Sequence, residues 1–372
     1  MKTLFIHDHK FRKINDRFYS PGGLSNEILS RYTQIFGGIT VIGRIICEKE
    51  PLNTYSEITN DEINIEDNKD LYKRIEEADY IIIRLPSING FKAVKICKNF
   101  KKDYLVEVVG CVKDAYLNYG TKGKICAYPA YYIMKTCVKE AKYAVYVTKD
   151  FLETRYPCKG KVIAISDVEL KSKSESKEYR LQKDKITFGT LAAVDVEYKG
   201  QEFFIKAIND IEKELGIKVE YQLVGAGNTQ RLLNIAKKYK AEDKVVFKGT
   251  IPHEDVFEWL DSLDFYIQPS LLEGLSRALI EAMSRGLVCY ASDCGGNPEL
   301  IDGKFLFSIK RKRNISKNIA SVIVNNNSQN NINYESKRNF SYANSEYNAE
   351  HLDRIRKDFY HDFKKYIESN KD

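Results

Sequence analysis

The sequence predicts an α/β fold made of two Rossmann-like domains, and three observations carry this prediction. The chain has 372 residues, more than one compact domain usually contains. Two successive series of short apolar runs alternate with segments of helical spacing, which is typical of parallel sheets covered by helices. Between the two series, residues 171–177 are polar and charged without apolar periodicity, and we interpret residues 169–184 as a linker. The predicted domains therefore span residues 1–168 and 185–347.

The first series predicts six strands with helices between them. The strands are expected at residues 3–6, 39–42, 80–83, 104–109, 143–147 and 161–165, and the helical spacing lies at residues 24–36, 69–78, 91–100 and 125–141. Because a helix can return the chain to the same edge of the sheet, this alternation favours a doubly wound parallel sheet.

The second series repeats the pattern. Its strands are predicted at residues 186–191, 219–224, 245–247, 265–267, 288–291 and 305–309, with helices in the gaps. The Asn-rich segment 325–333 lacks an apolar face, and we interpret it as a surface loop. The tail has the apolar spacing of an amphipathic helix, carried by Leu352, Ile355, Phe359, Phe363, Tyr366 and Ile367.

The composition argues against several classes of protein. Hydrophobic residues make up 43% of the chain and charged residues 30%, which is ordinary for a globular protein. No apolar run approaches the length of a membrane span, and His7-Asp8-His9 interrupts the apolar segment 4–6, so we predict no secretory signal. The eight cysteines contain no C-x-x-C pair, which favours reduced thiols in a cytosolic protein over a disulfide framework or a zinc site.

The positive charge is placed unevenly. Residues 1–165 contain 27 Lys and Arg against 20 Asp and Glu, whereas residues 166–372 contain 32 of each. One interpretation is a solvated surface; the other is attraction of the first half to an anionic membrane leaflet or to a lipid-pyrophosphate acceptor. Nucleic acid is not predicted as a partner, because the basic residues are spread along the chain and form no stripe.

The most informative segment is an apolar strand, 264–269, followed by a loop, 270–276, and a helix. It carries two carboxylates eight positions apart, Glu273 in the loop and Glu281 in the helix. The carboxyl end of such a strand is where open α/β sheets bind ligands, and the free N–H groups of residues 274–276 at the helix start favour an anion. Carboxylates repel phosphate but accept hydrogen bonds from hydroxyl groups. A ligand that has hydroxyl groups next to a diphosphate is a sugar nucleotide, which is the ligand this segment predicts.

An ordered set of residues extends this pattern over nearly all of residues 186–309. The set comprises Gly189, Lys199-Gly200, Val224-Gly225-Ala226-Gly227, Val246-Phe247-Lys248-Gly249, Ser270, Glu273-Gly274, Glu281-Ala282-Met283, Gly286, Ser292-Asp293, Gly295-Gly296 and Pro298-Glu299. It resembles the E-x7-E region of retaining GT-B glycosyltransferases, glycosyltransferase family four. The resemblance implies the GT-B architecture, two Rossmann-like domains facing across a cleft, with a last helix from about residue 348 to 372 that packs back on the first domain.

The resemblance also implies roles for the two carboxylates. In the family, the counterpart of Glu281 accepts hydrogen bonds from the ribose hydroxyls of the donor, and the counterpart of Glu273 contacts a hydroxyl of the transferred sugar. The backbone of Gly274, Leu275 and Ser276 is expected to close the same pocket. A surface glutamate on an exposed helix face and a plain turn glutamate are the alternatives.

Further donor residues follow by position. Lys199 is expected to hold the diphosphate as it gains negative charge on leaving. Thr190 stands in the donor loop at the position where the family usually has an arginine, and we hypothesise that Arg277 supplies the missing cation, the alternative being an arginine on the helix surface. The backbone near Thr250 and Ile251 is expected to meet the nucleobase.

In the first domain, the resemblance points to a glycine loop and to one strand residue. Gly22-Gly23 is expected to follow the first strand and to approach the sugar phosphate, although an ordinary turn explains the pair as well. Glu107 stands near the position where many relatives have a histidine beside the transferred sugar. Either Glu107 takes that catalytic role, or Lys113 and Asp114 in the next loop take it, and a purely structural glutamate is an equal alternative.

We predict no metal and no cofactor other than the substrate nucleotide sugar. His7 and His9 end the first strand on one face, but no third ligand accompanies them, and retaining GT-B enzymes do not depend on a bound metal.

The sequence is therefore interpreted as a retaining, metal-independent hexosyltransferase. We expect it to move a sugar from a UDP- or GDP-linked donor to a polysaccharide or lipid-linked glycan acceptor in bacterial cell-surface polysaccharide biosynthesis. The predicted location is the cytoplasm, at the inner face of the cell membrane.

Three other functions share part of this sequence pattern. A nicotinamide-dependent oxidoreductase is disfavoured, since the third glycine expected after Gly225-Ala226-Gly227 falls on Gln230. A sugar-nucleotide epimerase on the same fold and a non-catalytic sugar-nucleotide-binding protein both stay open.

Overall fold

The computed structural model describes residues 1–52, 55–118, 120–170 and 184–370. The chain forms two compact units: Met1–Ile165 together with the C-terminal segment from Asp353 is unit 1, and Ser166–Leu352 is unit 2. Most of the predicted linker, residues 171–183, lies outside the described residues.

Unit 1 alternates strands and helices. Its strands are β1 (Thr3–Ile14), β2 (Arg17–Ser20), β3 (Ile39–Cys47), β4 (Ser56–Glu57), β5 (Ile63–Glu66), β6 (Tyr80–Leu85), β7 (Leu105–Val108), β8 (Tyr143–Tyr146) and β9 (Lys161–Ala164), and its helices are α1 (Asn26–Phe36), α2 (Leu71–Glu77), α3 (Ile88–Phe100), α4 (Val112–Leu117), α5 (Gly120–Lys139) and α6 (Phe151–Arg155). Strands β5, β3, β1, β6, β7, β8 and β9 are neighbours in that order, and each pairing is parallel.

The start of unit 1 differs from the prediction. The first strand extends from residue 3 to residue 14 and turns back through Asn15-Asp16 into β2, which pairs antiparallel with β1. Asn15 and Asp16 have φ of 46° and 65°, the conformation that tight hairpin turns need and that Asn and Asp tolerate. Gly22-Gly23 therefore comes after this hairpin and before α1.

Unit 2 is a second α/β unit. Its strands are β10 (Lys185–Leu191), β11 (Lys218–Val224), β12 (Val245–Gly249), β13 (Phe265–Gln268), β14 (Val288–Ser292) and β15 (Leu306–Phe307), and its helices are α7 (Gln201–Leu215), α8 (Gln230–Lys238), α9 (His253–Ser262), α10 (Arg277–Ser284), α11 (Asn297–Leu300), α12 (Ile315–Asn326) and α13 (Gln329–Glu346). The strand order is β12-β11-β10-β13-β14-β15, all parallel. Strands β10, β13 and β14 are thus adjacent, so the loops after their carboxyl ends lie side by side.

The Asn-rich segment 325–333 is not a loop. It contains the end of α12 and the first turns of α13, separated only by Asn327 and Ser328. The Ser328 hydroxyl caps α13 by accepting from the N–H of Asn331, and Ile332 is fully buried. Helix α13 therefore begins within this segment with one capping residue and one buried apolar residue, although the segment has no apolar stripe.

The tail forms the predicted amphipathic helix, α14 (Ala349–Ser369). Tyr360 and Phe363 are buried in unit 1, where Phe363 packs edge-on against Phe36 and Tyr143. Among the described residues, no helix combines the length and the apolar character that crossing a bilayer requires.

Candidate functional site

The predicted strand, loop and helix around the two carboxylates are present in unit 2. Strand β13 ends at Gln268, the loop contains Glu273, and α10 begins at Arg277 and carries Glu281. The loops after β10 and β14 flank this segment, because those strands are the neighbours of β13. The site is therefore built at the carboxyl edge of the sheet, where parallel α/β sheets bind ligands.

Glu273 forms an ion pair with Lys199. Its Oε1 atom accepts from the Nζ of Lys199 at 2.9 Å and from the Nε2 of Gln268 at 3.1 Å. The Glu273 side chain is only 9% exposed and that of Lys199 is 24% exposed. The structure thus brings together two residues that the sequence assigned to one site, and it holds the carboxylate in a fixed position.

Two glycines allow the loops to approach each other. At Gly200, with φ of 71°, a Cβ would lie 1.9 Å from the carbonyl oxygen of Pro269; at Gly295, with φ of 58°, a Cβ would lie 2.2 Å from that of Glu273. The Gly296 N–H also donates to the Gly274 carbonyl at 2.7 Å. Any other residue at either glycine would push the Glu273 loop away.

Gln268 orients Glu273, a role that no motif in the sequence indicates. The Tyr266 hydroxyl donates to its Oε1 at 2.7 Å, which leaves the amide Nε2 to donate to Ser270 Oγ and to Glu273. Burial raises the pKa of Tyr266 far above its ordinary value, and the charges of Glu281 and Glu273 add to this effect, so the tyrosine stays a donor. The only sequence feature that could have indicated Gln268 is that it is a single glutamine at the end of an apolar strand.

Glu281 lies on α10 and is 8% exposed. Its Oε1 atom is 3.5 Å from Nε2 of His253, at the start of α9, whose side chain is 73% exposed. The negative charges of Glu281 and Glu273 both raise the pKa of Tyr266.

The other predicted donor residues differ in accessibility. Thr190 is completely buried, and its hydroxyl bonds with Tyr221 Oη at 2.7 Å and with the carbonyl of Ile267. Its side chain is therefore occupied inside the unit, whereas Thr250 is exposed. Arg277 is exposed on the first turn of α10.

The remaining predicted site residues lie in the Glu273 loop just before α10, except for Ile251, which lies before α9. Leu275 and Gly274 are half-buried, Ser276 is buried, and Ile251 lines a surface groove of about 310 Å³ with Trp259.

In unit 1, Gly22 and Gly23 form a turn with φ of 121° and 68°. The Ser20 hydroxyl donates to the Gly22 carbonyl at 2.8 Å and bonds with Nε2 of His9 at 2.8 Å. Burial, with the charges of Arg84 and Arg12, lowers the pKa of His9 to about 4. His9 is therefore a neutral imidazole that braces this loop, and no group of three metal-binding side chains occurs in the described parts of the chain.

Glu107 is buried in the interior of unit 1. It is 3% exposed and accepts from the Tyr32 hydroxyl and from Nη1 of Arg84, each at 2.6 Å, and also from the Tyr360 hydroxyl of α14. Two tyrosine hydroxyls and the paired Arg84 guanidinium account for the buried charge. This arrangement ties the C-terminal helix to β7, and the catalytic role of Glu107 stays a prediction.

The two alternatives to Glu107 lie on α4. The Asp114 carboxylate forms an ion pair with Arg155 at 2.6 Å, and the Lys113 ammonium lies 4.6 Å from the ring centre of Tyr128.

Comparison with known proteins gives consistent matches. The family model for glycosyl transferases group 1 matches residues 171–339. Protein CapJ of Staphylococcus aureus is 35% identical over 365 residues, covering 93% of this chain and 92% of CapJ. The putative colanic acid biosynthesis glycosyltransferase WcaL of Escherichia coli (strain K12) is 33% identical over 113 residues, 28% of each chain. The structure of Anabaena Alr3699/HepE in complex with UDP-glucose superposes with a TM-score of 0.63 at 14% identity, covering 95% of this chain and 98% of that one.

Proposed function

Because the chain belongs to the group 1 glycosyltransferases and has their two Rossmann-like GT-B domains, we propose that it transfers a hexose from a UDP- or GDP-sugar to a glycan acceptor with retention of the anomeric configuration. The observation that carries this proposal is the Lys199–Glu273 pair, fixed by Gln268 at the carboxyl edge of the unit 2 sheet.

Glu273 and Lys199 supply opposite charges on the two sides of the bond between the sugar and the diphosphate, which breaks in the reaction. The Glu273 carboxylate accepts hydrogen bonds from hydroxyls of the transferred sugar, and the Lys199 ammonium stabilises the negative charge that develops on the departing diphosphate. Since the two groups are already 2.9 Å apart, little reorganisation is needed when the donor binds.

Glu281 is assigned to the ribose of the donor. Its carboxylate is nearly buried, so a hydrogen bond from a ribose hydroxyl forms with little competition from water. Among the described residues, none accepts a hydrogen bond from the N–H groups of Leu275 and Ser276, which precede α10 and suit a phosphate oxygen.

We assign the acceptor to unit 1, in a depression of about 230 Å³ at the carboxyl edge of its sheet. The lining comprises Asp8, Pro86, Ser87, Ile88, Phe91 and Tyr116, among others. The Asp8 carboxylate accepts from the N–H groups of Ile88 and Asn89, and the aromatic rings offer an apolar surface of the kind on which a sugar face packs. The name of WcaL supports an acceptor in surface polysaccharide biosynthesis.

Donor binding is the direct test. A thermal-shift screen with UDP-, GDP- and ADP-sugars should give one clear hit, since a ligand at 100 times its Kd stabilises the native state by about 2.7 kcal/mol. Glu281→Gln keeps the shape of the side chain but removes the charge, and it should abolish most of that shift. The matched control is Glu214→Gln, a change at an exposed glutamate on α7.

Turnover separates the proposal from its competitors. With the hit donor and an acceptor, the enzyme should release the nucleoside diphosphate and form a product whose anomeric configuration, measured by NMR, matches that of the donor. Conversion of the donor without an acceptor would indicate an epimerase, and an unchanged shift in Glu281→Gln would reject the assigned ribose contact.

A further inference from the structure

Helix α5 of unit 1 exposes a row of large apolar side chains. Ile125 is 77% exposed, Tyr128 54%, Tyr132 63% and Ile133 51%. Their spacing places them on one side of the helix, while Met134 and its neighbours on the opposite side are buried. Apolar surface of this extent on a globular protein marks an interaction site.

The charged residues of α5 itself are all lysines, and the acid that follows the helix, Glu140, pairs with Lys98 of α3. Residues 115–139 contain no Asp or Glu but contain Lys122, Lys124, Lys135 and Lys139. The nearest preceding acid, Asp114, is neutralised by Arg155 at 2.6 Å. The exposed surface of α5 is therefore apolar along its centre and cationic along its borders.

A groove continues the apolar surface toward α3. It has a volume of about 410 Å³. Its lining includes Phe91, Val94, Tyr132 and Ile133, with Lys95 and Lys98 on the α3 side. Lys98 is paired with Glu140, whereas the Lys95 ammonium borders the apolar groove, an arrangement that fits a hydrocarbon chain attached to an anionic headgroup.

We propose that the α5 face, defined as Ile125, Tyr128, Tyr132 and Ile133 with Lys122, Lys124 and Lys135, docks on the surface of an anionic lipid bilayer. Tyrosines sit well at the level of the headgroups, isoleucines enter the acyl boundary, and lysines pair with anionic lipids. A second copy of the chain is a poorer occupant, because a symmetric contact would bring the same lysines together. The proposal is independent of sugar transfer and is tested without donor.

Vesicle co-sedimentation of the full chain tests the charge. We expect binding to vesicles of phosphatidylcholine with 30% phosphatidylglycerol, little binding to phosphatidylcholine alone, and weakening with salt. Replacing Lys122, Lys124 and Lys135 by Ser should lower the partition coefficient roughly 100-fold, about fivefold for each lysine. The control replaces three exposed lysines of unit 2, Lys213, Lys237 and Lys238, by Ser, and should change partitioning less than about twofold.

A second pair of variants tests the apolar row. Tyr132→Ser should lower partitioning into the anionic vesicles about tenfold, whereas Tyr334→Ser, at a residue 58% exposed on α13, should not. Circular dichroism melts establish that each variant is folded. Equal loss in the α5 variants and their controls, or equal binding to neutral and anionic vesicles, overturns the proposal. So does a dimer without vesicles that Tyr132→Ser converts to monomers, because a second copy then covers the face.

Discussion

Glu335 on α13 should make unit 2 less stable as the pH rises. The side chain is completely buried, and burial raises the pKa of its carboxyl from 4.5 to about 7, against the lowering effect of the Arg338 guanidinium at 3.5 Å. The N–H of Asp302 also lowers this pKa, and the charge of the Asp302 carboxylate raises it. In the folded state the group holds its proton up to about pH 7, whereas in the unfolded chain it ionises near pH 4.5.

The sign and magnitude follow from this difference. Because the folded state binds the proton more tightly, its contribution to stability is complete below pH 4.5 and is lost as the pH rises through 7. A pKa difference of about 2.5, at about 1.36 kcal/mol per pH unit, corresponds to about 3 kcal/mol. Glu335→Gln cannot ionise at this position, so its stability should lack this pH-dependent loss.

Urea unfolding followed by tryptophan fluorescence measures the free energy of unfolding of unit 2. The chain has one tryptophan, Trp259, which is buried in unit 2, as is Glu335. Between pH 4.5 and pH 8, the stability of Glu335→Gln relative to wild type should rise by about 3 kcal/mol. Glu214→Gln, at an exposed glutamate of α7, should follow the wild type. Parallel pH profiles of wild type and Glu335→Gln would refute the reasoning.

Two further predictions concern the donor loop. Lys199→Met removes the ammonium next to Glu273 and should lower kcat at least about 100-fold in a nucleoside diphosphate release assay. The control is Lys206→Met, which changes a similarly half-buried ion pair on α7 and should retain turnover. Equal losses of kcat in the two variants would argue against the assigned role of Lys199. Gly295→Ala places a Cβ 2.2 Å from the Glu273 carbonyl oxygen at φ of 58°, and it should lower the free energy of unfolding of unit 2, measured in urea, by about 1–3 kcal/mol. The control is Gly303→Ala, whose Cβ would meet no atom within 4 Å and which should be near neutral. Similar stabilities of the two variants would contradict the strain argument.

Local patterns predicted much of the fold correctly. The predicted strands of both series occur, since a buried parallel strand is a short apolar run whose ends are marked by polar residues and glycine. The predictions failed where a few specific contacts, and not an apolar periodicity, determine the local structure. Asn15-Asp16 directs a hairpin that no apolar pattern announces, and the helix from Gln329 depends on one cap and on the buried Ile332.

The sequence pattern also predicts Glu273, Glu281 and Lys199 as site residues, but it contains no indication of the side chains that support them. Gln268 is part of an apolar strand, and only the position of the Tyr266 hydroxyl fixes which end of its amide faces Glu273. The burial of the Thr190 side chain on a central strand is likewise set by the tertiary structure, and its place at the donor stays a prediction.

The sequence by itself determined that the chain folds as two α/β domains with two carboxylates at the end of one strand, because alternation and spacing are properties of neighbouring residues. Only the tertiary structure decided that Lys199 meets Glu273 across 74 positions and that Tyr360 meets Glu107 across 253. Such partners are chosen by the order of strands in a sheet and by where the last helix packs, and both depend on the burial of the whole chain at once.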